Sequence, residues 1–158
     1  MAGSISQSNA VAAEALHSYG TQLFSAAYTP TTPDVLTLIG QVKSISRDGN
    51  KYTEVDVSHL FSPEKFKEFI AGFGDAGTIT FNCNYNPALN AQLTDLEPDP
   101  SDVTEFGRIR LIISDPLQNT ITFKGFMNGP GQNFQEDGQI MIAISFRCSG
   151  KPVVTLVG

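Results

Sequence analysis

Little in this sequence offers chemistry. Its 158 residues include two cysteines, two histidines and a charged fraction of 16%, below the usual quarter. The histidines, His17 and His59, stand in no metal-ligand spacing with Cys83 and Cys148, so no zinc site is spelled out. No motif sets a serine or cysteine nucleophile beside a histidine base. No apolar run approaches the roughly 20 residues of a membrane span. The opening MAGSISQSNAVAAEA lacks the basic start and apolar stretch of a secretory signal. The expectation is folding in a reducing cytoplasm. Cys83 and Cys148, each on the apolar side of an expected strand, are then buried thiols acting as small hydrophobes. Basic residues are few and scattered: ten Lys and Arg against sixteen Asp and Glu give a formal net charge of −6. Gripping nucleic acid by its phosphates needs a basic face, so that function is disfavoured.

Two apparent sites dissolve on inspection. Gly72-Phe73-Gly74-Asp75-Ala76-Gly77 matches G-x-G-x-x-G, but a dinucleotide site needs a strand before the glycines and a helix after them. Here the expected order is reversed, and the glycines read as a hinge. Asp95, Glu97, Asp99, Asp102 and Glu105 crowd together without the central glycine and closing glutamate of a calcium loop. A solvated acidic loop is expected. No residue set earns a catalytic, metal or cofactor role, and neither enzymatic activity nor a cofactor is expected.

What the chain does have is a period-two pattern. At 158 residues it is sized for one domain with a core of its own. Residues 1–33, rich in Ala, Ser and Thr and broken by TPTTP, read as a partly flexible N-terminal arm before a single domain over 34–158. A first strand runs over Leu36 to Ser46, with a bend at Gly40. Asp48-Gly49 then signals a hairpin, and Tyr52 to Val57 returns. Ser62 and Pro63 open an expected helix, along which Phe66, Phe69, Ile70 and Phe73 fall at i, i+3, i+4 and i+7 as one stripe for the core. From Thr78 the period becomes two: Ile79, Phe81, Cys83 and Tyr85 on one side, Thr78, Thr80, Asn82 and Asn84 on the other. Asn86-Pro87 starts a second short helix with Leu89, Leu93 and Leu96 on one face. After the Glu97 to Asp102 loop come strands over Gly107 to Ile113, Thr120 to Met127 and Gln139 to Cys148, then an edge strand within Val153 to Val157. The fold class is mainly β: an antiparallel β-sandwich or open barrel with one or two short helices packed on one side.

The order EVDVSHL, SPEKFKEFIAGFGDAG, TITFNCNYNP, closing with Ser149 to Pro152, resembles the major tail tube proteins of long-tailed bacteriophages, over about Val35 to Val154. It is carried by a strand holding Asp56, a helix over Pro63 to Gly72, a turn from Asp75 to Gly77, and a strand from Thr78 to Pro87. The resemblance implies the tail-tube fold and a structural virion protein. Copies would close into a ring, usually a hexamer, and rings would stack into a tube for genome passage. It implies assembly in the host cytoplasm and residence in the phage tail. Implied partners are other copies, the tape measure, tail tip and terminator proteins, and double-stranded DNA passing without specific binding; no membrane is involved. The outer rows Thr78, Thr80, Asn82, Asn84 and Thr120, Thr122, Lys124 would face the channel. The arm, the Asp48-Gly49-Asn50 turn and the loop with Glu97, Asp99 and Asp102 would touch neighbouring copies or rings. Two alternatives stay open. One is the tube protein of a bacterial contractile secretion system, which shares the architecture. The other is a monomeric β-sandwich binding module presenting Tyr19, Tyr28 and Tyr52.

Overall fold

The computed structural model describes residues 19–134, 136 and 138–157. Nine strands form one antiparallel sheet: β1 Gln22–Ala27, β2 Thr37–Ile39, β3 Val42–Arg47, β6 Thr78–Asn84, β7 Ile109–Ser114, β8 Thr120–Met127, β9 Gly131–Asn133, β10 Met141–Cys148 and β11 Val153–Thr155. Seven run in the order β2-β1-β7-β8-β10-β6-β3, with β11 beside β8 and β9 beside β10. The strands at the two ends of that path, β2 and β3, are consecutive in the chain. Three peptide steps from Ile39 to Val42 span at most about 11 Å. The sheet must therefore curl until its ends meet. Gly40 and Gln41 make the corner, with Gln41 at φ 58 and its carbonyl accepting from the Asn84 N–H at 3.1 Å.

In β6, β7, β8 and β10, alternation puts the expected apolar side inward. Ile79, Phe81 and Cys83 of β6, Leu111 of β7, Phe123 and Met127 of β8, and Ile142, Ile144 and Phe146 of β10 are all buried. The helix α1, Pro87–Asp95, closes the core with Leu89 and Leu93. Its cap is the expected one, the Asn86 side chain accepting from the Ala88 N–H at 2.9 Å. At Gly125 an added Cβ would stand 2.0 Å from the Arg147 carbonyl oxygen, so only glycine lets β8 cross β10 this closely.

Three expectations need correction. First, β1 lies inside the expected arm: it pairs with both β2 and β7, and Leu23 is buried. Its small Ser25 and Ala26 fit tight sites in the sheet, which leaves little apolar pattern to read. The rest of the expected arm, residues 1–18, lies outside the described residues. Second, Asp48-Gly49 does not close a hairpin between β3 and the next strand. β3 pairs with β6, where Ile45 lies opposite Phe81, and long-range burial outweighs the local turn. Third, the Phe66, Phe69, Ile70, Phe73 stripe is no core helix. Only Pro63–Lys65 makes a single 3₁₀ turn, and β5, Phe69–Asp75, pairs with β4, Lys51–Asp56. Gly72 and Gly74 each cost a helix interior about 1 kcal/mol, the aromatics favour a strand, and no apolar surface lies beneath them. Gly72 and Gly74 are thus strand residues, and Gly77, at φ +83, takes the turn into β6.

Candidate functional site

The described residues hold no group of His, Cys, Asp and Glu able to ligate a metal. Cys83 and Cys148 are buried and unbridged. Burial pushes the Cys83 thiol up to about 11 and raises Cys148 as well. A raised value means less thiolate at neutral pH, hence little nucleophilicity. Neither thiol is expected to react quickly with a thiol reagent in the folded protein, and both should react after denaturation. Fast labelling of the native protein would contradict this.

The expected acidic contact residues are engaged at home. Asp99 accepts from the Ser101 N–H and hydroxyl at 2.9 and 2.7 Å, contacts that lower its pKa. Asp102 accepts from the Thr104 and Glu105 N–H groups. These are turn-stabilising bonds. Glu97 sits beside Gly129. Asp48, Gly49 and Asn50 carry the chain from β3 into β4, anchored by the Asp48 N–H on the Thr78 carbonyl at 3.2 Å.

The two polar rows come together. Register sets Thr78, Thr80, Asn82 and Asn84 opposite Arg147, Ser145, Ala143 and Met141 of β10. It sets Arg147 opposite Phe126 of β8, on the side that alternation gives to Lys124, Thr122 and Thr120. Both rows therefore lie on one side of one sheet, away from the core. Asn82 and Asn128 amides donate to the Ser44 and Ser145 hydroxyls at 3.0 and 2.8 Å. Among the described residues three strand cations lie on this side, Lys124, Arg147 and Arg110. Arg110, opposite Lys124, donates to the Ala27 carbonyl at 2.7 Å and to Asp34 at 2.5 Å. Lys124 Nζ lies 5.4 Å from the Tyr28 ring centroid, which also receives Arg108 at 4.3 Å. Arg147 donates to Asp75 at 2.7 Å, a bond that holds the Asp75 carboxyl below its ordinary value together with the Gly77 N–H. The face mixes these polar rows with Ile112, Phe126, Ala143 and Met141, and Arg147 and Arg110 on it are paired with carboxylates.

The second surface is the β4–β5 ribbon. Every residue of β4 is exposed, and so is all of β5 except half-buried Gly72. The two strands pair only with each other. Val55 lies opposite Ile70 on one side, Asp56 opposite Phe69 on the other, so apolar side chains emerge from both. Phe73 is 92% exposed. At the tip, Glu68 gathers the loop: it accepts from the Ser62 hydroxyl at 3.0 Å and lies 3.5 Å from His59. The Ser62 hydroxyl also accepts from the His59 N–H at 2.8 Å, instead of capping a helix. Leu60 and Phe61 are left 99% and 90% exposed, with Phe66 beside them. None of these tip residues was expected outside the fold, and only their number hinted at it.

A third feature, also unforeseen, is a groove of about 530 Å³ between β3 and the β7–β8 pair, walled by Val42, Ile45, Ile113, Ile121 and Phe123. Arg47 at its end lies 4.9 Å over the Phe123 ring and donates to Asn50. Its guanidinium also hydrogen-bonds Cys148, and its Nε is buried with no partner among the described residues.

No protein-family model matches the chain, and no curated protein is significantly similar to it. Solved structures are similar. A chain from the tail of an empty gene transfer agent particle with C6 symmetry shares 13% identity, covers 90% of this chain and 100% of its own, and superposes with a TM-score of 0.63. A chain of the sheath–tube complex of an extracellular contractile injection system, in the extended state, shares 11% identity over 98% of this chain and 100% of its own, with a TM-score of 0.62. A chain of the anti-feeding prophage baseplate, six-fold symmetrised, shares 8% identity over 89% of this chain and 95% of its own, with a TM-score of 0.57. The fold is the β fold found in phage-like tail and contractile injection structures.

Proposed function

We propose that this protein is a structural subunit that closes with copies of itself into six-membered rings, and that the rings stack into a tube. The observation that carries this is the β4–β5 ribbon. An isolated two-stranded hairpin is marginal in water, and contiguous exposed apolar surface on a soluble chain marks a contact site. This ribbon has apolar groups on both sides and none of the described residues over them. Contacts that close sideways and repeat axially give rings and then a filament.

The face of Thr78, Thr80, Asn82, Asn84, Thr120, Thr122 and Lys124 suits a channel lining, because Arg147 and Arg110 there are paired with carboxylates and double-stranded DNA finds no continuous basic row to hold it. The chain as a whole is acidic. On this basis the protein is the major tail tube subunit of a long-tailed phage, located in the virion tail. Its partners are its own copies and the other tail proteins, and it has no enzymatic role. The extent of similarity to the injection-system chain keeps a second reading, the tube of a contractile injection apparatus, alongside it. The binding-module alternative loses one of its three aromatics, since Tyr28 is covered by Arg108 and Lys124.

Electron microscopy of the purified protein at rising concentration is expected to show rings, then tubes, of six-fold symmetry. Particles that stay single at every concentration would overturn the proposal. Tubes emptied of DNA in intact particles of the native source would favour the injection reading.

A further inference from the structure

We infer that the ribbon tip of one copy, Leu60 to Phe66, seats in the groove between β3 and the β7–β8 pair of a second copy, with Glu64 against Arg47. This rests on the assembly proposed above and names its socket. Among the described residues the groove's apolar walls alternate with Thr21, Ser44 and Ser46, and no Asp or Glu lines it. Its charge comes from Arg47 and Lys43, and Lys43 already donates to Gln139 at 2.9 Å. Arg47 has no carboxylate partner among the described residues: its guanidinium contacts Asn50, Cys148 and the Phe123 ring, so its charge is left for a carboxylate brought from outside.

The tip offers the complement. Leu60, Phe61 and Phe66 are its exposed apolar groups. Glu68 is used by Ser62 and His59, whereas Glu64 has no partner among the described residues. Glu64 and Lys65 both sit at positive φ, 55 and 63. Two consecutive non-glycine residues there store strain, which fits a loop shaped for contact. The knob cannot fill its own hole. Arg47 adjoins the ribbon base, while strands of six and seven residues carry the tip about 20 Å away. A contact joining unlike patches is heterologous and needs another copy.

The test mixes two variants that each add one cysteine, Phe61→Cys and Ile113→Cys in the groove wall, under oxidation during assembly; the buried native thiols stay out of the reaction. A mixed disulfide is expected between them, and none between Phe61→Cys and Asn128→Cys on the polar face. Glu64→Arg or Arg47→Glu should raise the concentration needed for assembly on the order of tenfold or more, the pair together should restore it, and Lys65→Ala should leave it unchanged. Tubes that form normally with no mixed disulfide and no response to either charge reversal would overturn the socket while sparing the assembly proposal. Wild-type protein that never assembles would overturn both. Protection of Ile113→Cys from thiol reagents in the unassembled protein, lifted by deleting residues 1–18, would place the chain's own N-terminal segment in the groove and also refute the inference.

Discussion

Replacing Tyr52 to Gly74 by a short Gly-Ser turn is expected to yield a folded monomer that makes no rings at any concentration. The ribbon strands β4 and β5 share no ladder with the main sheet, and their side chains contribute nothing to the buried core. Removing them therefore subtracts almost no folding energy. Shortening the connection changes its closure entropy only slightly, about 0.6 kcal/mol per halving of length. The anchors at the base, Asp48 on Thr78 and Arg147 on Asp75, remain. Thermal unfolding within a few degrees of wild type, with sedimentation as a monomer, is the predicted pair of results. A variant that fails to fold would make the ribbon part of the core; one that still forms rings would remove it from the assembly account.

The second large effect separates folding from assembly by two phenylalanines. Phe81 is fully buried, opposite Ile45 on one side and Ile144 on the other. Phe81→Ala should cost about 3–5 kcal/mol through lost burial and a residual cavity, lowering the midpoint by roughly 6–20 °C at about 2–4 °C per kcal/mol for a chain of this size. Phe69 is half exposed on the ribbon, so Phe69→Ala should alter stability by no more than about 0.5 kcal/mol while weakening ring formation. Denaturant or thermal unfolding measures the first quantity, light scattering the second. Equal loss of stability in both variants would contradict the division.

That division was only half legible in the sequence. Alternation placed β6, β8 and β10 to within about two residues, because each buries one side against a common core and shows the other to solvent. The ribbon buries neither side, so alternation gave no guide. Its Phe66, Phe69, Ile70 and Phe73 happen to match a helical period, and the glycines among them read as a helix end. The Asp48-Gly49 signal was real as a change of direction. It could not say which strand would lie beside β3, since the answer, β6, begins some thirty residues later. The polar rows were correctly placed away from the core; that they share one face depends on β10 lying between them, a matter of register. The Arg47 groove was invisible for a similar reason: three strands distant in sequence supply its walls.

The joint at Gly40 and Gln41 has a mechanical consequence. Where the curled sheet returns upon itself, the two ends are tied by peptide bonds instead of by a row of weak bonds. β2 and β3 each pair on one side only, so an outward force would peel the short β1–β2 ladder or the β3–β6 ladder first, while the covalent corner keeps the two edges from parting.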